Sequence, residues 1–210
     1  MKIDRLILGA FETNCYILRK SETAKDCLIV DTGLEGGALV GFLQERHLEP
    51  AAIVLTHGHA DHVTGVVQLR RNFPEIKVYI HTRDAGMLTG AQDNLSELAG
   101  VRFRTEPADF LIEEGEIIEQ AGIKLEVLYT PGHTPGGISL YSPNEGIVFV
   151  GDTLFAESVG RTDFPGASFE QLVKGIRQKL FVLADQTVVY PGHGPTTTIA
   201  HEKAYNPFLQ

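Results

Sequence analysis

Three things are scarce in this 210-residue chain, and each scarcity removes a class of protein. Cysteine occurs only as Cys15 and Cys27. Two thiols in apolar, strand-like surroundings are no disulfide framework, so both are expected to be buried and reduced. Long apolar runs are missing as well. No stretch approaches the roughly 20 residues that span a bilayer, and the start, Met1-Lys2-Ile3-Asp4-Arg5, lacks the apolar core of a signal peptide. Basic residues are outnumbered: 18 Lys and Arg face 27 Asp and Glu, a net charge of −9. A chain so acidic has no general affinity for nucleic-acid phosphates, although one local basic group would serve a small anionic substrate. The expectation is a soluble protein of a reducing cytoplasm, with no membrane and no nucleic-acid partner.

What the chain does have is histidine in one place. Val54 to Val63 begins as an apolar strand and then sets His57, His59, Asp61 and His62 within six positions. Imidazole and carboxylate bind divalent first-row metals, and packing alone seldom gathers four of them after a strand. His133, Asp152 and His193 repeat the theme singly, each behind a glycine (Gly132, Gly151, Gly192) at the end of an apolar strand. Each alone reads as an ordinary loop residue. If the strand ends converge, seven donors exceed the needs of one tetrahedral ion and suit two metals sharing a carboxylate.

The apolar patterning predicts strands over 2–8, 14–18, 27–30, 51–55 and 77–80, with helices over 35–46 and 63–71. A short helix is expected over 83–88, and the stretch 90–104 reads only as a partly helical surface segment. In the second half, 110–112, 117–119 and 123–129 read as a β-meander. Strands over 138–141 and 147–150 follow, then a long loop to Ser168, which is placed to cap a helix over 169–180. A strand over 187–190 and a terminal helix over 197–205 complete the chain. With no linker and no composition break, residues 1–210 are expected to form one domain. Short strands with helices between and outside them favour two sheets packed together under outer helices.

The order His57-x-His59-x-Asp61-His62, His133, Asp152, His193 resembles the metallo-β-lactamase superfamily. So do Glu12-Thr13-Asn14-Cys15-Tyr16, Asp31-Thr32-Gly33, Gly132 to Gly136 and Gly151 to Phe155. Within that superfamily the chain is most similar to the small glyoxalase II (hydroxyacylglutathione hydrolase) group, through Ser158 to Asp163, Pro191 to Thr197 and the ending Asn206-Pro207-Phe208-Leu209. The resemblance implies an α+β fold, a four-layer αββα sandwich of two mixed sheets with helices on the outer faces.

It further implies two divalent ions per chain, zinc foremost, with iron or manganese as alternatives. His57, His59 and His133 would hold one and Asp61, His62 and His193 the other, with Asp152 bridging. Asp61 and Asp152 would serve catalysis together with a metal-bridging hydroxide that attacks the carbonyl of a small-molecule acyl thioester, S-lactoylglutathione or a relative. Arg161 falls where a basic substrate contact is expected, a surface ion pair being its alternative, and Lys203 is a weaker candidate. Asp31 and Thr56 are placed to orient ligands. His47, His81 and His201 lie outside the motif. Larger glyoxalase II enzymes hold glutathione with a basic C-terminal helical extension, whereas one short helix follows His193 here. The runner-up is an iron persulfide dioxygenase with a single ion on His57, His133 and Asp152. Which metal is loaded, the acyl and thiol parts of the substrate, and the oligomeric state are left open.

Overall fold

Alternation of side chains along each strand builds this molecule in layers. In the computed structural model, which describes residues 1–34, 36–91, 93–97 and 102–210, strand β2 (Thr13–Arg19) turns Cys15 and Ile17 one way and Tyr16 and Leu18 the other. Strand β3 (Asp26–Val30) and strand β4 (Glu49–Val54) do the same with Ile29 and Ile53 against Leu28, Val30, Ala52 and Val54. A strand's period of two lets one sequence feed two apolar layers. The first set packs under α1 (Gly36–Glu45) and α3 (Val66–Asn72) through Leu39, Leu43, Val66 and Leu69. The second faces Leu125, Val127, Leu140 and Phe149 of the other sheet.

With β1 (Lys2–Leu8), β5 (Lys77–His81) and β6 (Phe110–Ile112), these strands form a mixed sheet in the order β1-β2-β3-β4-β5-β6. The other sheet contains β7 (Ile117–Gln120), β8 (Ile123–Tyr129), β9 (Ile138–Ser142), β10 (Ile147–Gly151), β13 (Val188–Pro191) and β14 (Thr197–Thr198), in the order β14-β13-β10-β9-β8-β7. Its outer face, with Val148, Val150 and Val189, is covered by Leu172 and Ile176 of the helix after Ser168 and by Ile199 of α5 (Ile199–Tyr205). Helix, sheet, sheet, helix is the four-layer α+β sandwich expected. Cys15 and Cys27 are free and buried, and burial pushes the Cys27 thiol up to about 12. Among the described residues no helix is long and apolar enough to cross a membrane.

Several local expectations are corrected. The helix expected over 63–71 is two, α2 (Ala60–Val63) and α3. The His62 carbonyl leaves the helical ladder to accept from the backbone N–H of Thr32 (2.8 Å) and from its hydroxyl (2.9 Å). Gly65 sits in the break, where a Cβ would stand 2.5 Å from the Thr32 carbonyl oxygen. The meander loses its first strand, since β6 pairs in parallel with β5 of the first sheet. The loop before Ser168 contains a hairpin, β11 (Leu154–Phe155) with β12 (Ser158–Val159). The following helix is α-helical only over α4 (Phe169–Gly175), capped by the Ser168 hydroxyl, and widens to a π-turn over Ile176–Leu180. The terminal helix begins at Ile199, because Thr197 and Thr198 pair with β13. Glu35, the expected start of the first helix, and Gly100 lie outside the described residues.

Candidate metal centre

Strand register brings the donors together. β3 and β4 run in parallel with Val30 opposite Val54, so their outgoing loops start side by side and Asp31 reaches Thr56. In the other sheet β10 and β13 are parallel with Gly151 opposite Pro191, which sets Asp152 beside Gly192 and His193. The sheets are tied at this same end. The Ile138 N–H donates to the Thr56 carbonyl (2.9 Å), the Asn14 N–H to the Gly192 carbonyl (2.7 Å), and Thr13 bridges to His193. The ligand-bearing loops thus start from rigid strand ends.

All seven residues singled out in the sequence converge here. Among the described residues, three groups have donor atoms within 4.8 Å of one another: His57, His59 and His133; His57, His62 and Asp152; Asp61, His62 and His193. The Asp152 carboxylate lies between the groups. Its Oδ1 is 3.4 Å from His62 Nε2, and its Oδ2 is 3.5 Å from both His133 Nε2 and His193 Nε2. Asp61 Oδ2 is 3.2 Å from His193 Nε2 and accepts from the Thr13 hydroxyl at 3.1 Å.

Outer partners decide which imidazole nitrogen is free. Asp31 is 1% exposed and accepts from the Thr56 N–H, the Thr56 hydroxyl and His62 Nδ1, at 2.8, 2.8 and 2.9 Å. Thr56 Oγ1 in turn takes His57 Nδ1 at 3.1 Å. His133 Nδ1 donates to the Arg161 carbonyl (2.8 Å) and His193 Nδ1 to the Phe11 carbonyl (2.9 Å). With Nδ1 fixed as the donor to these partners, the four rings aim Nε2 inward. His59 instead turns Nδ1 inward, 2.9 Å from His133 Nε2. At that distance the two nitrogens share a proton in the metal-free chain, and once it leaves both face one point as donors for a cation.

The donor set fits divalent ions on a second ground. His57 Nε2 and Asp152 Oδ1 are buried with no hydrogen-bond partner among the described residues, although burial without a partner is costly. Protons carry the positive charge that the protein itself supplies. Burial, with His62 next, holds His57 well below the usual histidine value, and burial with His133 lowers His59 to about 3. Burial also opposes charge on His62 and His193. There the carboxylates win: Asp61, Asp152 and Asp31 raise His62 well above its ordinary value, and bonds to Asp152 and Asp61 raise His193 to about 10. Burial would lift Asp152 and Asp61, but the neighbouring His62 charge carries both below the usual carboxylate value.

Asp84 gave no signal in the sequence. It sits in the 3-10 turn Thr82–Leu88 and is fully buried. It accepts from the Gly58 N–H (3.1 Å), the Thr134 hydroxyl (2.7 Å) and the Gly136 N–H (2.6 Å), joining the loop of His57 and His59 to that of His133. The site opens into a cleft of about 610 Å³ whose walls include Phe11, Leu34, Leu95, Phe155 and Phe164. Phe164 packs edge-on to His59, 5.4 Å between centroids.

Arg161 borders this cleft, yet its guanidinium is paired with Asp163 at 2.7 and 3.0 Å and lies over the Phe164 ring. Lys203 pairs with Asp185 and His201 with Glu157, both at the surface. His47 ends a helix, and His81 caps the turn that follows its strand.

A family model described as metallo-beta-lactamase superfamily matches residues 8–193. Over 210 aligned residues the chain is 39% identical to the probable metallo-hydrolase YqgX of Bacillus subtilis, covering 100% of this chain and 98% of that protein. It is 36% identical to the hydroxyacylglutathione hydrolase GloC of Haemophilus influenzae, at 100% and 98% coverage. Among solved structures, BLEG-1 B3 metallo-beta-lactamase superposes with a TM-score of 0.94 at 38% identity, covering both chains fully. TTHA1623, in a di-iron-bound form, gives 0.87 at 36% identity over 98% of this chain and 100% of that one. A family match of this length, with relatives aligned end to end, makes the chain a member of the metallo-β-lactamase superfamily and a metal-binding hydrolase.

Proposed function

We propose that the protein is a dinuclear thioester hydrolase of the glyoxalase II type, acting on S-lactoylglutathione or a related acyl thioester. The observation that carries the dinuclear half is Asp152, whose carboxylate lies between two three-residue donor groups. One cation would be held by His57, His59 and His133, the other by Asp61, His62 and His193, with Asp152 shared. Zinc, iron and manganese all suit nitrogen and carboxylate donors, and a relative of the same fold is a di-iron form. Bound there, such a pair would act as Lewis acids, lowering the pKa of water and polarising a carbonyl. The thioester half rests on end-to-end similarity to the hydroxyacylglutathione hydrolase GloC.

The protein's own part in such a reaction is positioning. Asp31 fixes the proton of His62 directly and that of His57 through Thr56, leaving both Nε2 atoms as acceptors. The Arg161 and Phe11 carbonyls do the same for His133 and His193. Phe155, Phe164 and Leu95 give the acyl and thiol parts an apolar wall that limits water. Arg161 is assigned the carboxylate of the thiol part, which it would take in exchange for Asp163. No serine or cysteine nucleophile is needed.

The test is metal content together with turnover. Protein purified from its own source should carry about two metal ions per chain and hydrolyse S-lactoylglutathione. Silence towards acyl thioesters alongside turnover of a β-lactam would overturn the substrate reading. Oxygen uptake with glutathione persulfide and one iron per chain would replace it with the dioxygenase.

A further inference from the structure

Beyond the metal donors, Glu202 of α5 and Asn206 just after it both reach one loop of the cleft. That loop is the β11–β12 hairpin, which leaves Asp152, carries Phe155 into the cleft, and returns through Gly160 to Arg161. Gly160 lies against the Asp152 backbone so closely that a Cβ would stand 1.8 Å from the Asp152 carbonyl oxygen. The Arg161 carbonyl orients His133, and the Phe155 ring lies 6.2 Å from that of His193. A shift of this hairpin therefore changes the cleft wall beside two of the donors.

Two side chains with no solvent exposure, Glu202 and Asn206, hold the hairpin from outside the site. Glu202 Oε2 accepts from the Glu157 N–H (2.9 Å) and from Asn206 Nδ2 (2.8 Å). Its Oε1 accepts from the Thr197 hydroxyl (2.5 Å), on the strand that follows the His193 loop. Asn206 Nδ2 also donates to the Ser158 carbonyl at 3.0 Å. Glu157, at the hairpin tip, has φ +56°, a left-handed conformation that a non-glycine residue keeps only under constraint. The latch is anchored in turn, because Leu209 is buried with α4 and the Leu209 carbonyl accepts from Arg177 at 3.1 Å.

We infer that Glu202 and Asn206 are positioning residues that lock the β11–β12 hairpin, and so the Phe155 wall, into the shape that receives the substrate. The inference rests on the thioester reading only for its kinetic test. A buried carboxylate joining three segments is strong only when every partner is a donor, which is the case here. The exchanges that discriminate follow from that. In Glu202→Gln the amide can turn its oxygen to Glu157 and Asn206 and give its NH2 to Thr197 Oγ1, so the latch survives. In Asn206→Asp three acceptor oxygens meet, and the latch opens.

The experiment compares the metal-loaded wild type with Asn206→Asp, Glu202→Ala and Glu202→Gln. Hydrogen exchange of a peptide spanning 153–161 reads the hairpin directly. Exchange there should rise about tenfold in Asn206→Asp and Glu202→Ala and stay at the wild-type level in Glu202→Gln. Two metals should remain bound, and KM for S-lactoylglutathione should rise about tenfold while kcat changes less than about threefold. Adding Asn206→Asp to Phe155→Ala should raise KM little further, because both remove the same wall. Unchanged exchange at 153–161 in a folded Asn206→Asp protein, or a fall in melting temperature with KM unmoved, would overturn the latch. If the wild type leaves S-lactoylglutathione intact, the thioester reading fails alone, and the exchange pattern still decides the latch.

Discussion

Replacing Asp31 with Asn tests the idea that the outer hydrogen bonds make this a metal site. Asparagine keeps the size of the side chain and tolerates the left-handed backbone of Asp31, φ +56°. What changes is one oxygen. Asp31 Oδ1 accepts from the Thr56 N–H, so the amide must put its oxygen there and its NH2 in place of Oδ2. Oδ2 now accepts two protons, from the Thr56 hydroxyl at 2.8 Å and from His62 Nδ1 at 2.9 Å. Facing an NH2, His62 Nδ1 must become the acceptor and its proton moves to Nε2, the atom aimed at the site. The Thr56 hydroxyl, losing its acceptor, turns its proton towards His57 Nδ1, 3.1 Å away, and drives the same exchange there. One atom substituted outside the site thus places a proton on the donor nitrogen of two histidines.

Loss of an outer partner costs about 10–100-fold in metal affinity, or roughly 1.4–2.8 kcal/mol. In the proposed two-ion arrangement His57 and His62 would hold different ions, so both should be weakened rather than one. The assay is a zinc titration against a competing chromophoric chelator, with imidazole tautomers read by long-range 1H–15N spectra. At a pH where both rings are neutral, the metal-free wild type should carry the ring proton of His57 and His62 on Nδ1, and Asp31→Asn should carry it on Nε2. Two ions bound within about threefold of wild-type affinity, or unchanged tautomers, would refute the reasoning.

Other outcomes follow from the same geometry. His193 is raised to about 10 and His62 well above its ordinary value in the metal-free chain, so metal loading at pH 7 should release protons, visible as a buffer-dependent heat in calorimetry. Because His193 rises from 6.5 to about 10, its contribution to metal-free stability is fully present below pH 6.5 and is lost as pH climbs through 10. Asp152, lowered from 3.8, contributes above that pH and loses its effect as pH falls. The melting temperature without metal should therefore be higher at pH 6 than at pH 9, by calorimetry. Gly160→Ala, whose Cβ has no room beside the Asp152 carbonyl, should displace the Asp152 loop and cut kcat by about a hundredfold in steady-state assays. Asp163→Ala frees the exposed Arg161 and should lower KM for an anionic thioester by up to about fivefold, while Arg161→Ala raises it.

Much of this was readable without coordinates, for local physical reasons. His57, His59, Asp61 and His62 lie on one loop, so their proximity is written in their spacing. Glycine before His133, Asp152 and His193 marks strand ends, and continuous apolar runs in β2 to β4 mark strands buried on both faces. Errors arose where long-range partners override local pattern. The apolar run after His62 is helical in period, yet Thr32, thirty residues upstream, takes the His62 carbonyl and splits the helix. Phe110–Ile112 looks continuous with the strands after it, but its backbone pairs with β5.

Two buried acids, Asp84 and Glu202, carry no signal in the sequence, and they share one physical logic with Asp31, which its motif does mark. Asp31 joins the end of β3 to the histidine loop, Asp84 joins that loop to His133, and Glu202 joins the Asp152 hairpin to the strand after His193. Each carboxylate accepts three hydrogen bonds, at least one of them from a segment distant in sequence, which repays the cost of burying it. Each therefore has to be where it is only because chains distant in sequence meet there, and an isolated Asp or Glu carries no periodicity to announce that. The metal donors can be recognised from their own neighbours in sequence. Asp84 and Glu202 can be recognised only from the fold; mutations at Asp31 or Asp84 should disturb the centre without touching a donor, and Glu202→Ala should disturb the cleft wall beside it.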